Sequence, residues 1–322
     1  MPLRPDSKFF IWIRLAAVLA AALCYSPITH ALLQVSESST APAVEPITRV
    51  PEPPAADPLK VAIGERLFGD PRLSHGDTRK CSSCHDLGTN GASGNAHDTA
   101  PDGSPLPLNT LTVFNSTLCF RFGWKGEFRT LEAQAAASLQ NPRIMDSRID
   151  EVVGKLSQDS DLVHQFEVAY GHGPDPASVL DAIATFERSL VTPASRFDRW
   201  LAGDRAALSA QQIEGYRLFK SLGCVSCHQG VNVGGNLFQR HGIFHPLARA
   251  EPEILRVPSL RNVATTAPYF HDGSAATLDE AVRKMANAQL DLTLTDQQVE
   301  EIVAFLRTLT GTYRGRPVGE PR

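Results

Sequence analysis

The chain has 322 residues, enough for two domains of ordinary size, and its 42% hydrophobic content supports a packed core. A formal net charge of −4 gives no reason to expect nucleic-acid binding, and this class of partner is set aside.

The chain opens on a targeting pattern. Arg4, Lys8 and Arg14 form a basic start, Leu15 to Leu23 is an almost unbroken apolar run, and Thr29-His30-Ala31 is a small-residue cleavage site. Residues 1–31 are therefore expected to be a secretory signal. An uncleaved membrane anchor is the alternative, disfavoured because the central run is short for a spanning helix. Residues 32–57, rich in Pro, Ser, Glu and Ala, are expected to be a disordered tether.

Order is expected from Pro58. Val61, Ile63, Leu67 and Phe68 predict an amphipathic helix over Pro58 to Phe68, stopped by Gly69-Asp70-Pro71. Then comes Cys81-Ser82-Ser83-Cys84-His85, the C-x-x-C-H signal for c-type haem. Each thiol can form a thioether with one haem vinyl group, and the adjacent imidazole falls under the iron as proximal ligand. A redox disulfide or half of a zinc site would need a context that is missing here. The motif recurs at Cys224-Val225-Ser226-Cys227-His228, and two chance copies in one chain are implausible. Covalent haem attachment in bacteria takes place outside the cytoplasm, which agrees with the export signal and predicts a periplasmic protein. Of six cysteines, Cys24 lies in the targeting segment, four serve the haems, and Cys119, between Leu118 and Phe120, reads as a buried inert thiol.

A loop rich in Gly, Asn, Asp, Ser and Pro runs from Asp86 to about Leu108. A loop of that length is usually functional, and it is expected to form the distal wall of the first haem pocket. Thr110 to Trp124 is mostly apolar. Helices are predicted over Thr130–Leu139, Arg148–Leu156, Asp161–Tyr170, Pro176–Leu190 and Ser195–Leu201. An internal echo follows: Gly64-Glu65-Arg66-Leu67-Phe68 precedes the first haem motif, and Gly215-Tyr216-Arg217-Leu218-Phe219 precedes the second. A last helix is predicted over Thr295–Leu309. Strand signals are few. The fold class is mostly α: two cytochrome c-like haem domains with long loops, 58–203 and 204–315, and a tail at 316–322.

A haem iron takes a second axial ligand or keeps that position open for chemistry. Met285, in a helical stretch downstream of the second motif, is expected to be the sixth ligand of the second haem. A thioether raises the reduction potential, so this haem is the electron entry site. Met145, after Asn141-Pro142, reads as core or haem packing. For the first haem, His97 in the Gly-rich loop is a candidate distal ligand, whereas His75 reads as solvated.

These residues resemble the bacterial di-haem cytochrome c peroxidases, the family that includes the MauG-type enzymes. The resemblance runs from about Leu59 to Gly311 and is carried by GERLFGDPRLS, PLNTLTVFN, LEAQA, ATFERSLVTPASRFDRWLAGD, GCVSCHQGVNVGGN, VPSLRNVATTAPYFHDGSAATLDEAV and IVAFLRTLTG. It implies a peroxidatic haem on His85, and a haem on His228 and Met285 fed by a small periplasmic cytochrome c or cupredoxin. It also implies Trp124 between the haems, His271 near them, and a homodimer. A calcium ion is implied as well, held partly by Asn109 and by the backbone carbonyls of Thr266 and Pro268.

The chain departs from the family pattern. Trp124-Lys125-Gly126-Glu127 stands where Trp-Asp-Gly-Arg is usual, and Ile144 stands where a Glu assists O–O cleavage. Gln134, the other distal polar residue, is retained. The family's removable distal His lies nearer Pro101 than His97. A positioned acid–base group is worth roughly 10²–10⁴-fold, and isoleucine cannot supply it. His97, Glu132 or a water held by Gln134 are candidate substitutes. The leading expectation is a di-haem peroxidase that reduces hydrogen peroxide. The rivals are a di-haem electron-transfer or sensor protein with decayed peroxidase chemistry, supported by Ile144, and a MauG-like oxidase, opposed by Met285.

Overall fold

Helix start and stop signals act where the sequence places them. In the computed structural model, which describes residues 45–247 and 254–320, Asp57 accepts the N–H of Leu59 and caps α1 (Pro58–Phe68). Pro58 occupies the first turn of α1, and Gly69 follows its last residue. Then come α2 (Leu131–Gln140), α3 (Ile149–Leu156), α4 (Ser160–Tyr170), α5 (Pro176–Ser189), α6 (Arg196–Leu201), α7 (Ala210–Ser221), α8 (Leu278–Leu290) and α9 (Asp296–Leu306). Asp175, Ser195, Ser209 and Thr295 each close a reciprocal capping box at the starts of α5, α6, α7 and α9. Among the described residues, strands are confined to two antiparallel pairs, β1 (Phe238–Arg240) with β2 (Ile254–Arg256) and β3 (Thr312–Tyr313) with β4 (Arg316–Pro317). The fold is mostly helical, as expected. No helix among the described residues is long and apolar enough to cross a membrane. Residues 1–31, expected to be a secretory signal, lie outside the described residues.

Two helix crossings organise the two halves, α1 on α5 and α7 on α9. Each crosses at a glycine of the internal echo. A Cβ on Gly64 would stand 2.0 Å from the carbonyl oxygen of Ala182, and one on Gly215 would stand 1.8 Å from that of Glu301. Only glycine lets these backbones touch, so the echo marks the closest approach in each half.

The repeat extends to the turns between helices. Asn115 and Asn262 are both left-handed (φ 60°), a conformation asparagine tolerates better than most residues. Their side-chain amides both donate to Thr192 Oγ1, at 2.7 and 3.0 Å, and the Thr192 N–H returns to Asn115 Oδ1 at 2.8 Å. One buried threonine therefore joins the two halves.

The N-terminal stretch differs from expectation, and the two halves exchange elements. The stretch 46–50, read as part of a disordered tether, is packed. Ile47 lies in a core with Phe197, Tyr216 and Phe305, Arg261 Nη2 donates to Thr48 O at 2.8 Å, and the Val50 N–H donates to Asp198 Oδ1 at 3.1 Å. Two apolar residues in a polar stretch suffice to anchor it. The tail 316–322 is likewise ordered through Glu320: Val318 is buried with Phe68, Phe114 and Phe186, and the Gly319 N–H donates to Thr89 O at 2.9 Å. Helix α6, expected at the end of the first domain, packs in the core of the second half. Phe197 stands 4.8 Å from the Tyr216 ring and 5.1 Å from that of Phe305. The halves therefore interleave, and residues from Pro46 onward form one compact unit.

Candidate functional site

Each C-x-x-C-H motif folds as one 3₁₀ turn, Cys81–Ser83 and Cys224–Ser226. The N–H groups of His85 and His228 reach back 3.0 Å to the carbonyls of Cys81 and Cys224. Each turn puts its two thiols and its imidazole on the wall of one cavity of about 710 Å³, lined from both halves of the molecule.

His85 Nδ1 stands 3.2 Å from Gly91 O, and His228 Nδ1 stands 3.3 Å from Val233 O. A carbonyl only accepts, so Nδ1 carries the proton and Nε2 keeps its lone pair for a metal. Burial lowers both histidines, His228 to about 4, and so keeps them in the neutral form that ligates. Burial also pushes the Cys81 thiol up to about 12 and the Cys84 and Cys224 thiols up to about 11. None of the four motif cysteines forms a disulfide. Phe68, Phe114 and Ile183 from one half, with Phe219, Leu278 and Ile302 from the other, give the cavity an apolar lining. This donor set and lining fit two covalently attached haems.

The two halves differ in what α2 and α8 offer the cavity. The bridges Phe122–Phe128 and Tyr269–Ala275 occupy corresponding places before α2 and α8. Counting on from them residue for residue, Trp124 corresponds to His271, Gln134 to Ala281, and Ser138 to Met285. All six residues line the cavity. The second half thus offers a thioether on α8 where the first offers only a hydroxyl, which accepts from Gln134 Nε2 at 2.9 Å. Met145 is buried in the first-half core and also reaches the cavity.

Trp124 is tied to the second half. Its indole N–H donates to Asn109 O at 2.7 Å, the Asn109 N–H donates to His271 O at 2.7 Å, and the Arg256 N–H donates to Trp124 O at 2.8 Å. The Trp124 and His271 rings are 6.3 Å apart. Asn109, Thr266 and Pro268, the residues of the implied calcium site, all line the cavity. Among the described residues there is no group of three His, Cys, Asp or Glu arranged to hold a metal ion.

His97 is not among the residues that line the cavity. It lies instead near His271, whose imidazole is lowered by burial and by His97. Its loop is docked on the second half, where Gly273 seats the backbone of Ala96: a Cβ on Gly273 would stand 2.7 Å from Ala96 Cα. Of the long loop, only 106–108 reach the cavity. The rest is held by Asp98, which accepts from Thr110 Oγ1 at 2.5 Å and Asn95 Nδ2 at 3.0 Å. Ile144 does line the cavity, and its neighbour Arg143 donates to Pro105 O at 2.7 Å. His75 is exposed, as expected.

Sequence reasoning missed three residues of the lining. Arg256 is buried, donates from Nε to Gly123 O at 3.1 Å and from Nη1 to Cys119 Sγ at 3.3 Å, and has no carboxylate partner among the described residues. His241 packs edge-on to His271, with ring centroids 4.5 Å apart. Glu187, on α5, turns its carboxylate into the cavity wall. Leu255-Arg256-Val257, a cation set between apolar residues, carried a readable signal; a glutamate in a helix did not.

A family model described as di-haem cytochrome c peroxidase matches residues 58–206, and one described as cytochrome c matches residues 212–310. Cytochrome c551 peroxidase of Nitrosomonas europaea is 38% identical, over 83% of this chain and 84% of its own length. The chain belongs to the di-haem cytochrome c peroxidase family. Cytochrome c peroxidase Ccp of Escherichia coli K12 is 42% identical over 84% of this chain, which spans 62% of that relative's length. Methylamine utilization protein MauG of Methylorubrum extorquens is 31% identical, over 80% of both. A crystal structure of a MauG-like protein associated with microbial copper homeostasis superposes with a TM-score of 0.69 at 27% identity, covering 85% of this chain and 95% of that one. Members of the di-haem cytochrome c peroxidase family take two c-type haems, and the two motifs here offer the two attachment points.

Proposed function

We propose that this chain is an exported, periplasmic peroxidase that reduces hydrogen peroxide to two waters with two electrons and two protons. The electrons come from a small cytochrome c or a cupredoxin. Cys224, Cys227, His228 and Met285 hold the haem that receives them. Cys81, Cys84 and His85 hold the haem at which peroxide is bound. The observation that carries this reading is the inequality of the two halves, Met285 on α8 against Ser138 at the matching place on α2. When bound, haem supplies one-electron iron chemistry, and a thioether ligand sets the second haem at the higher potential.

The chain's own residues do the rest. Gly91 O and Val233 O hold the two imidazoles in the ligating tautomer. Gln134 presents an amide to the first pocket. Trp124 spans the halves through Asn109 and Arg256. Asn109 and the carbonyls of Thr266 and Pro268 supply oxygen ligands that suit calcium. A homodimer belongs to the same reading.

Ile144 favours a second reading, an electron-transfer or sensor protein. Stopped-flow mixing of the half-reduced holoprotein with peroxide separates the two. Turnover by the natural protein is the expected result. Inert wild type beside an active Ile144→Glu variant would overturn the peroxidase reading. EPR tests the open site: two low-spin haems in every redox state would exclude it.

A further inference from the structure

The first-half core contains a carboxyl group that has no use in the scheme above. Glu187 sits on the cavity-facing side of α5, 7% exposed, and its Oε2 has no hydrogen-bond partner among the described residues. The basic side chain that follows it, Arg188, is committed elsewhere, in an ion pair with Glu132 on α2. A buried carboxylate without a cation is strongly disfavoured, so this position favours the acid form.

The matching place in the second half shows what the fold needs there. The stretches Ala184-Thr185-Phe186-Glu187-Arg188 and Val303-Ala304-Phe305-Leu306-Arg307 end corresponding helices, with Phe186 and Phe305 each packed on the preceding half-repeat's phenylalanine, Phe68 and Phe219. Leu306 lines the cavity as Glu187 does. Packing is therefore served by leucine, and the carboxyl is an addition confined to the half that has Ser138 where the other has Met285.

We infer that Glu187 is the redox-linked proton site of the first haem, taking up one proton when that haem gains an electron and releasing it when the electron leaves. The inference rests on the placement of the first haem at Cys81–His85. The balance is one electron from the donor protein, by way of the second haem, with one proton from solvent onto a carboxylate oxygen. Removing positive charge from the iron weakens its hold on the carboxylate anion, which favours the acid form. The titratable and charged groups that act on Glu187 among the described residues are Glu132 from α2, which opposes ionisation, and Arg188 from its own helix, which assists it. Cys81, from the motif turn, is near enough to feel the carboxylate, and as a thioether it does not titrate.

The test is potentiometric titration of the holoprotein's His85 haem across pH, in wild type, Glu187→Gln and Glu187→Leu. Leucine is what the corresponding place already accepts, so the second variant guards against a misfolded first. In wild type the midpoint potential should fall with pH by about 59 mV per unit in the coupled range, one tenfold step in proton activity converted for a one-electron couple. Both variants should flatten that slope. Redox-difference infrared spectra should show a carboxylic-acid C=O band that disappears in both. An unchanged slope in both variants would overturn the inference. Peroxide turnover is measured on the same samples: a wild type with the slope but without turnover would fail the peroxidase reading while supporting Glu187 as the proton site.

Discussion

At the scale of single residues, the site depends on which atoms are kept neutral. Burial holds His85 and His228 as neutral imidazoles, against the backbone carbonyls that fix their tautomer and raise them, whereas Glu187 is pushed up to about 8, by burial first and by Glu132 second. Below about 4.5 the folded and unfolded carboxyls are both protonated. Between there and about 8 the unfolded chain has lost a proton that the folded chain keeps, so stability falls as pH rises through this window, by at most about 1.4 kcal/mol per pH unit. Denaturant titrations of wild type and Glu187→Gln from acid to alkaline pH should therefore diverge, with the variant flatter; parallel curves would count against the raised carboxyl. Met285→Ala gives the second residue-scale prediction. The haem on His228 should lose its methionine charge-transfer absorption and fall in potential, while peroxide still binds at the other haem. A visible and near-infrared spectrum checks the first point, and a redox titration the second.

At the scale of elements, the two glycine crossings carry the halves. Gly64→Val and Gly215→Val each force a side chain into a facing carbonyl, at 2.0 and 1.8 Å for the Cβ alone. Overpacking of this kind costs about 1–3 kcal/mol or more. Each variant should lower the denaturation midpoint, and each should disturb the haem of its own half first in visible absorption. Equal disturbance of both haems by either variant would show that the helix pairs do not act separately. The starts at Pro58, Pro176 and Thr295 were legible within a residue or two, because helix-start signals are local chemistry.

At the scale of the whole molecule, the halves are joined by a few buried polar groups and by exchanged ends. Thr192 accepts from Asn115 and Asn262 at once, and Arg261 pairs with Asp198 at 3.0 Å while also holding Thr48 O. Thr192→Val removes the shared acceptor and leaves two buried amides unsatisfied, a cost of about 1–3 kcal/mol for each. Calorimetry on the holoprotein should show a lower melting temperature and two resolved transitions in place of one.

The sequence by itself determined the chemistry whose parts are neighbours along the chain. Two C-x-x-C-H turns, the helices and their caps, the glycine echo and the methionine on the penultimate helix are all short-range patterns, fixed by covalent spacing and helical period. Tertiary structure alone decided the rest. His97 faces His271 rather than the haem cavity, because Gly273 seats its loop against the second half. The stretch 46–50 and the C-terminal strands pack as straps, because Ile47 and Val318 find apolar partners far away in sequence. Glu187 became a buried acid only because α5 turns it into the cavity while Arg188 is drawn to Glu132, and burial and partnership are properties of the folded chain that no local pattern records.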